Sequence, residues 1–180
     1  MTARFRRRGG AVVARFTAQE ADVLRQMVGE VLELLGGPEA GTDDPLGGLG
    51  TAPVLPADPA LARLLPDGYR DDPAAAGELR RLTESSLRAD KVRNAQVLLD
   101  ALPEAGGTVT LSGEEAQQAW LRALNDVRLA LGTRLNVTED LDLGAEVAAD
   151  PDSTWSYALL VYDWMGWLQE TLIRSVPLGR

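Results

Sequence analysis

One segment near the end of this chain constrains the fold more than any other, because it is apolar on nearly every side. Residues 153–173 have helical length, and the aspartate and serine at 152–153 suit a helix start. Such a helix is either the central helix of a core or is half covered by a partner. The sequence predicts that its tryptophans and methionine belong mainly to the core, although such a face is also typical of protein-binding surfaces. These residues are Trp155, Trp164, Met165 and Trp167.

A second helix is predicted over residues 112–131 and should pack against the first. Its apolar residues follow one seam at offsets of four, three and four, namely Trp120, Leu124, Val127 and Leu131. Ser112 and Glu115 have the spacing of a capping box, which predicts Ser112 as the N-cap. The helix is expected to end before the glycine at 132.

The N-terminal part predicts a β-hairpin followed by a capped helix. Two short runs, 4–8 and 11–16, flank Gly9-Gly10, a pair suited to a tight turn. Val12, Ala14 and Phe16 should share one face of the returning strand. A capping box over residues 17–20 then predicts a helix that ends near residue 35.

The middle of the chain predicts a loop, two helices and a short strand. Residues 36–57 are rich in glycine, proline and aspartate, which indicates a flexible loop. Helices are expected over 58–65 and 73–102, the second with a break considered near Ser85-Ser86, and a strand over 108–111. The predicted fold is mainly α (α+β): a single domain over 1–180, a helical bundle with a small N-terminal β-hairpin.

The chain contains neither histidine nor cysteine, and this absence excludes most common kinds of enzyme. Without imidazole there is no Ser-His-Asp triad, and without thiols there is no disulfide, thiolate nucleophile or usual zinc site. We therefore predict a non-enzyme with no metal and no cofactor, while a carboxylate-based enzyme stays open as an alternative. No apolar run is long enough for a membrane span and no signal peptide is apparent, so a cytoplasmic protein without a membrane role is expected.

Charge is distributed unevenly along the chain. The net charge is −9, which argues against a broad nucleic-acid platform, yet residues 1–15 and 78–93 are locally basic. The hairpin arginines either serve only solubility or lie on nucleic-acid backbone, in which case we expect a weak, salt-sensitive contact. The candidate nucleic-acid contacts are Arg4, Arg6, Arg7 and Arg8.

The polar side of the helix at 112–131 carries the candidate protein-binding residues. Arg122 and Asp126 are four residues apart, a spacing that allows an ion pair on a helix surface. The alternatives are ordinary surface pairs or a face that contacts a partner. The candidate partner-binding residues are Arg122, Asn125, Asp126 and Arg128.

Two segments of this chain resemble one known protein family. The first is the run Trp-Leu-Arg-Ala-Leu-Asn-Asp-Val-Arg-Leu-Ala-Leu-Gly-Thr-Arg-Leu at 120–135, and the second is the closing helix 157–172. The basic Arg-Phe-Arg-Arg start, followed by Phe16 and a capped helix, fits the same pattern. Together they resemble the actinobacterial AosR-like oxidative-stress transcriptional regulators, a family formerly catalogued as a domain of unknown function.

The resemblance implies a cytoplasmic transcription regulator that is linked to oxidative stress and works through the transcription machinery. The suspected partner is RNA polymerase or a sigma factor. Because this chain has no cysteine, it departs from any thiol-sensing version of that role; its oxidisable residues are Met1, Met27 and Met165. The alternative function is an adaptor or oligomerising module, such as a homodimer, with no DNA role.

Overall fold

A computed structural model describes residues 2–36, 56–69 and 71–176. Within these ranges it contains a small sheet and six α-helices, so the predicted mainly α fold with a small β component is confirmed. Most of the loop predicted at 36–57 lies outside the described residues. The elements in chain order are β1 (Arg6–Arg8), β2 (Ala11–Phe16), α1 (Ala18–Leu34), α2 (Pro59–Leu64), α3 (Pro73–Ala101), β3 (Gly107–Ser112), α4 (Glu114–Arg134), α5 (Leu143–Ala149) and α6 (Thr154–Ser175).

Helix α4 is the central helix of the core. It packs against α6 as predicted, and it also contacts α1, α2, α3 and β3. Its seam residues Trp120 and Leu124 are fully buried, Val127 is nearly so, and Leu131 is partly buried. The predicted seam is therefore confirmed, and it faces more neighbours than α6 alone.

An aromatic cluster joins the sheet to α4. The Trp120 ring packs edge-on against Phe5, with centroids 5.5 Å apart, and lies 6.1 Å from Phe16. The N–H of Phe5 donates to Thr171 Oγ1 at 3.0 Å, which ties the N-terminal segment to α6. Phe5 is buried although it stands between two exposed arginines, because alternate residues of an extended chain point to opposite sides.

The sheet has three antiparallel strands in the order β1-β2-β3. The predicted hairpin is confirmed, with a shorter first strand. The predicted strand at 108–111 is also confirmed, and it pairs with β2 as the third strand of the sheet. Val12, Ala14 and Phe16 face the core as expected. The opposite face of the sheet is open to solvent, and it bears most of the hairpin arginines.

The starts of α1, α2 and α3 agree with the prediction, because each is capped by a residue directly before the helix. Thr17 and Glu20 form both bonds of a capping box at α1. Asp58 and Asp72 accept backbone N–H bonds at the starts of α2 and α3, each followed by proline at the first helical position. Helix α3 runs unbroken through Ser85-Ser86.

The predicted bounds of α4 are wrong at both ends. Ser112 is not the N-cap, because it is the last residue of β3 and pairs with Ala11, and Gly113 makes the turn instead. The helix continues through Gly132 and ends at Arg134, before Asn136 with its positive φ of 46°. Gly132 is retained within the helix because a Cβ there would lie 3.0 Å from the Tyr162 ring.

Helix α5 is an element that the sequence analysis missed. It lies in the acidic connection between α4 and α6, and Asp142 caps it by accepting the N–H of Ala145. Its seven residues pack against α6. None of the helices in residues 2–36, 56–69 and 71–176 is long and apolar enough to cross a lipid bilayer.

Replacing Gly106 with alanine is expected to lower the free energy of unfolding by more than about 1 kcal/mol. Its φ is +77°, and a Cβ would lie 2.6 Å from the Ala18 backbone nitrogen, at the start of α1. Urea unfolding followed by circular dichroism measures the change. Gly29→Ala is the control, since nothing lies within 4 Å of its Cβ position in α1, and a gain of about 0.5–1 kcal/mol is expected there. Equal effects of the two substitutions would contradict the close approach at Gly106.

Candidate functional site

The outer face of α6 exposes large apolar side chains. Trp155 and Trp167 are 41% and 42% exposed, so the prediction that they belong to the core is wrong. Leu160 is 50% exposed. Trp164 and Met165 are buried, as predicted. The large apolar side chains exposed on α6 are Trp155, Tyr157, Leu160, Trp167 and Ile173, and at about 100° per residue they lie on different sides of the helix. We call the stripe formed by Leu160 and Trp167 the α6 outer face.

The position of α6 at the side of the bundle explains this split. Its inner side packs against α4, β1 and α5, and the residues that fill this side include Val161, Leu168 and Leu172. Nothing in the described parts of the chain covers the opposite side. Leu160 and Trp167 are seven residues apart, two helical turns, and therefore lie on one stripe. The charged residues Asp163, Glu170 and Arg174 are also exposed on the helix.

The predicted ion pair between Arg122 and Asp126 does not form. Asp126 is only 3% exposed, and the ammonium of Lys91 on α3 lies 2.6 Å from its Oδ1. Burial raises the pKa of the Asp126 carboxyl, and the hydrogen bond and charge of Lys91 oppose that rise. Asp126 therefore holds α4 to α3 and is not available to a partner.

Arg128 also binds within the protein. Its guanidinium donates to Gln169 Oε1 at 2.8 Å and lies 5.4 Å from the centroid of the Tyr162 ring, both on α6. It also packs against Gly166, where a Cβ would lie 3.5 Å from the guanidinium. Arg128 therefore connects α4 to α6 and is half-buried, so it is less open to a partner than its place on the polar side of the helix predicts.

The other two candidate partner-binding residues, Arg122 and Asn125, are exposed. Arg122 lines two adjoining depressions between α3 and α4, of about 540 and 350 Å³, and Asn125 lines the smaller one. The walls of this groove also include Asp90 and Asn94 of α3. Of the four candidate residues, Asp126 and Arg128 therefore bind other helices of the protein, whereas Arg122 and Asn125 line the groove.

The arginines of the hairpin are exposed on the solvent face of the sheet. Arg6 and Arg8 pair with Val13 and Ala11, and residues directly opposite in an antiparallel pair share a face. Arg4 precedes β1 and lines one cleft together with Arg6 and Arg15 of this face. The hydroxyl residues of β3 on this face are Thr108, Thr110 and Ser112, and its strands carry no acid. Arg7 points to the other side, so three of the four candidate nucleic-acid contacts share this face.

The second basic region, residues 78–93, is neutralised within the protein. Buried Arg80 binds both Asp67, at 2.6 Å, and Glu84, at 2.7 Å. The other cations of this region also have acidic partners: Arg81 with Glu78, Arg88 with Glu84, Lys91 with Asp126, and Arg93 with Asp90. The hairpin differs, since among the described residues no ion pair is formed by Arg4, Arg6, Arg7, Arg8 or Arg15.

Glu20 fixes the segment that carries Arg4. Its carboxylate accepts the backbone N–H groups of Thr2, Ala3 and Thr17. Burial raises the pKa of Glu20, but these N–H donors and the Thr17 hydroxyl lower it further than burial raises it, so the net pKa lies below the usual value of 4.5.

Replacing Glu20 with glutamine is expected to lower the free energy of unfolding by about 1 kcal/mol at neutral pH, since one amide oxygen cannot accept the N–H groups of Thr2, Ala3 and Thr17 as the two carboxylate oxygens do. Because the folded protein lowers the pKa of Glu20, its contribution is present above pH 4.5 and is lost as pH falls through the folded value. The difference between wild type and Glu20→Gln should therefore shrink on acidification. Urea midpoints between about pH 3 and pH 7 measure this, and a constant difference would contradict the assignment.

Residues 1–176 match the family described as "Domain of unknown function (DUF2017)". The chain belongs to this family. The resemblance inferred from the runs at 120–135 and 157–172 is thereby confirmed.

Two mycobacterial relatives of this DUF2017 member have informative names. The "Oxidative stress regulator AosR" of Mycobacterium tuberculosis (strain ATCC 25618 / H37Rv) is 34% identical over 86% of this chain and 77% of the relative. A Mycobacterium leprae (strain TN) protein, whose name also contains "oxidative stress regulator AosR", is 36% identical over 87% of this chain and 78% of its own length. These names describe regulators rather than enzymes. No solved structure matches the chain.

Proposed function

We propose that this DUF2017 protein regulates transcription during oxidative stress by binding a protein of the transcription machinery, RNA polymerase or a sigma factor, in the cytoplasm. The names of its relatives support the link to oxidative stress. The observation that carries the mechanism is the α6 outer face, on which Leu160 and Trp167 are 50% and 42% exposed.

Large apolar side chains that are exposed together favour aggregation unless a partner covers them. Tryptophan and tyrosine are enriched where proteins bind one another, and tryptophans often supply most of the binding energy. Asp163, Glu170 and Arg174 would form a polar rim around Leu160 and Trp167. The groove residues Arg122 and Asn125 supply a second, polar contact in this proposal.

Direct binding tests the proposal. The purified protein would be measured by biolayer interferometry against core RNA polymerase and each sigma factor of the same organism. We expect one of them to bind, and Leu160→Ser with Trp167→Ser to weaken that binding about 30-fold or more. Arg122→Ala with Asn125→Ala should have a smaller effect, because rim contacts contribute less.

The matched control removes exposed apolar side chains elsewhere. Tyr69→Ser with Leu82→Ser changes residues that are 53% and 61% exposed. Leu82 is on α3 and Tyr69 precedes it, and neither lines the groove. This pair should bind like wild type. Equal weakening by both pairs would contradict a specific α6 site.

The alternative is an adaptor or oligomerising module with no DNA role. It is favoured if neither polymerase nor any sigma factor binds while the protein associates with itself through the same face. Sedimentation of wild type and of the Leu160→Ser, Trp167→Ser variant distinguishes the two functions.

A further inference from the structure

A cleft beside the sheet collects three arginines that have no acidic partner among the described residues. Its volume is about 550 Å³, within the range of small-molecule sites. Arg4, Arg6 and Arg15 line it, together with Thr2 and Thr17 and the backbone of Gly106 and Gly107.

The register of the sheet brings these cations together. Arg6 lies opposite Val13, Arg15 is two residues beyond Val13 on β2, and Arg4 precedes β1 and lines the same cleft. Like charges held near one another repel. No ion pair with a described residue relieves this repulsion, whereas every cation of the 78–93 region has such a pair.

The floor of the cleft is built from backbone. Gly106 approaches the start of α1 so closely that a Cβ would contact Ala18 and Thr17, as described above. This approach brings the loop before β3 against the end of β2 and closes one side of the cleft. Ala18 also lines it, and the first N–H groups of a helix have no partner within the helix.

One carboxylate lies behind the wall. Glu20 is buried, and both of its oxygens accept hydrogen bonds, one from Thr2 and Ala3 and the other from Thr17. Its charge offsets part of the positive charge of the cleft. The three guanidinium groups still outnumber this one carboxylate, whose oxygens already accept hydrogen bonds from the backbone. Guanidinium groups bind phosphate oxygens with paired N–H donors.

We propose that this cleft binds a small di- or triphosphate anion. Its concave shape and size suit a compact ligand with more than one phosphate group. A long polyanion is disfavoured because the body of the protein carries a net charge of −9. The site is independent of the α6 outer face, so it stands or fails separately from the proposed partner binding.

Titration calorimetry of the full chain with inorganic pyrophosphate, adenosine triphosphate and a short DNA duplex tests the site. We expect pyrophosphate and the nucleotide to bind, and Arg4→Gln with Arg15→Gln to weaken both about tenfold or more. Arg7→Gln with Arg8→Gln removes the same charge from the same hairpin outside the cleft, and should change the affinity less than about twofold. Arg6→Gln is a second cleft variant in case the first pair alters folding, which circular dichroism would report.

Three results would overturn the proposal. The first is an absence of binding by both small phosphates. The second is equal weakening by the cleft pair and the control pair, which would indicate general charge attraction. The third is binding of the duplex alone, which would identify the sheet face as a nucleic-acid contact and not as a site for a free phosphate compound.

Discussion

Replacing Lys91 with methionine is expected to lower the free energy of unfolding by about 3–5 kcal/mol, since it leaves the buried Asp126 carboxylate without its cation. The two side chains are 15% and 5% exposed and their charged atoms are 2.6 Å apart. Urea unfolding at neutral pH measures the loss. A change below about 1 kcal/mol, the range of surface pairs, would contradict the buried position of this pair.

Two further measurements separate the lost charge from lost packing. Adding Asp126→Asn to Lys91→Met should restore a large part of the stability, because the unpaired charge is removed. The pKa of Asp126 is raised above 3.8 in the folded protein, so the folded state holds its proton more tightly than the unfolded state. Lys91 opposes the rise that burial causes, so without it the pKa of Asp126 lies higher still, and the loss caused by Lys91→Met should shrink as pH falls through that raised pKa. A double variant no more stable than Lys91→Met would assign the loss to packing.

Replacing Leu124 with alanine is expected to cost about 2–5 kcal/mol, because it opens a cavity at the centre of the core. Leu124 is fully buried on α4, the helix that contacts α1, α2, α3 and α6. Leu160→Ala is the matched control on α6: half of its side chain is exposed, and a change within about 0.5 kcal/mol is expected. If the two variants melted at the same temperature, this would contradict the assignment of Leu124 to the core and of Leu160 to the surface.

Features governed by neighbouring residues were predictable from the sequence. The caps at Thr17, Asp58 and Asp72 depend on a few adjacent positions, and all three start helices. The Trp120 seam was predictable because a period of 3.6 residues is visible along the chain. Gly9-Gly10 predicted the hairpin for the same local reason.

Features that depend on distant contacts were not predictable. The helix-spacing rule offered Arg122 as the partner of Asp126, but Lys91, 35 residues away, binds it because α3 packs over that side of α4. Likewise, the apolar residues around α6 gave no signal of which side would be covered, so Trp155 and Trp167 were placed in the core. Arg15 was not among the predicted contacts, and only the fold brings it to the same cleft as Arg4.

The central claim is that the α6 outer face serves the regulatory function and not the fold. The most direct measurement is survival under hydrogen peroxide of a strain that lacks this gene and carries one of three copies. These are wild type, Leu160→Ser with Trp167→Ser, and the Tyr69→Ser, Leu82→Ser control. The account predicts that wild type and the control restore survival, whereas the α6 pair does not, although it accumulates to the same level with an unchanged melting temperature. Full restoration of survival by the α6 pair would contradict the account.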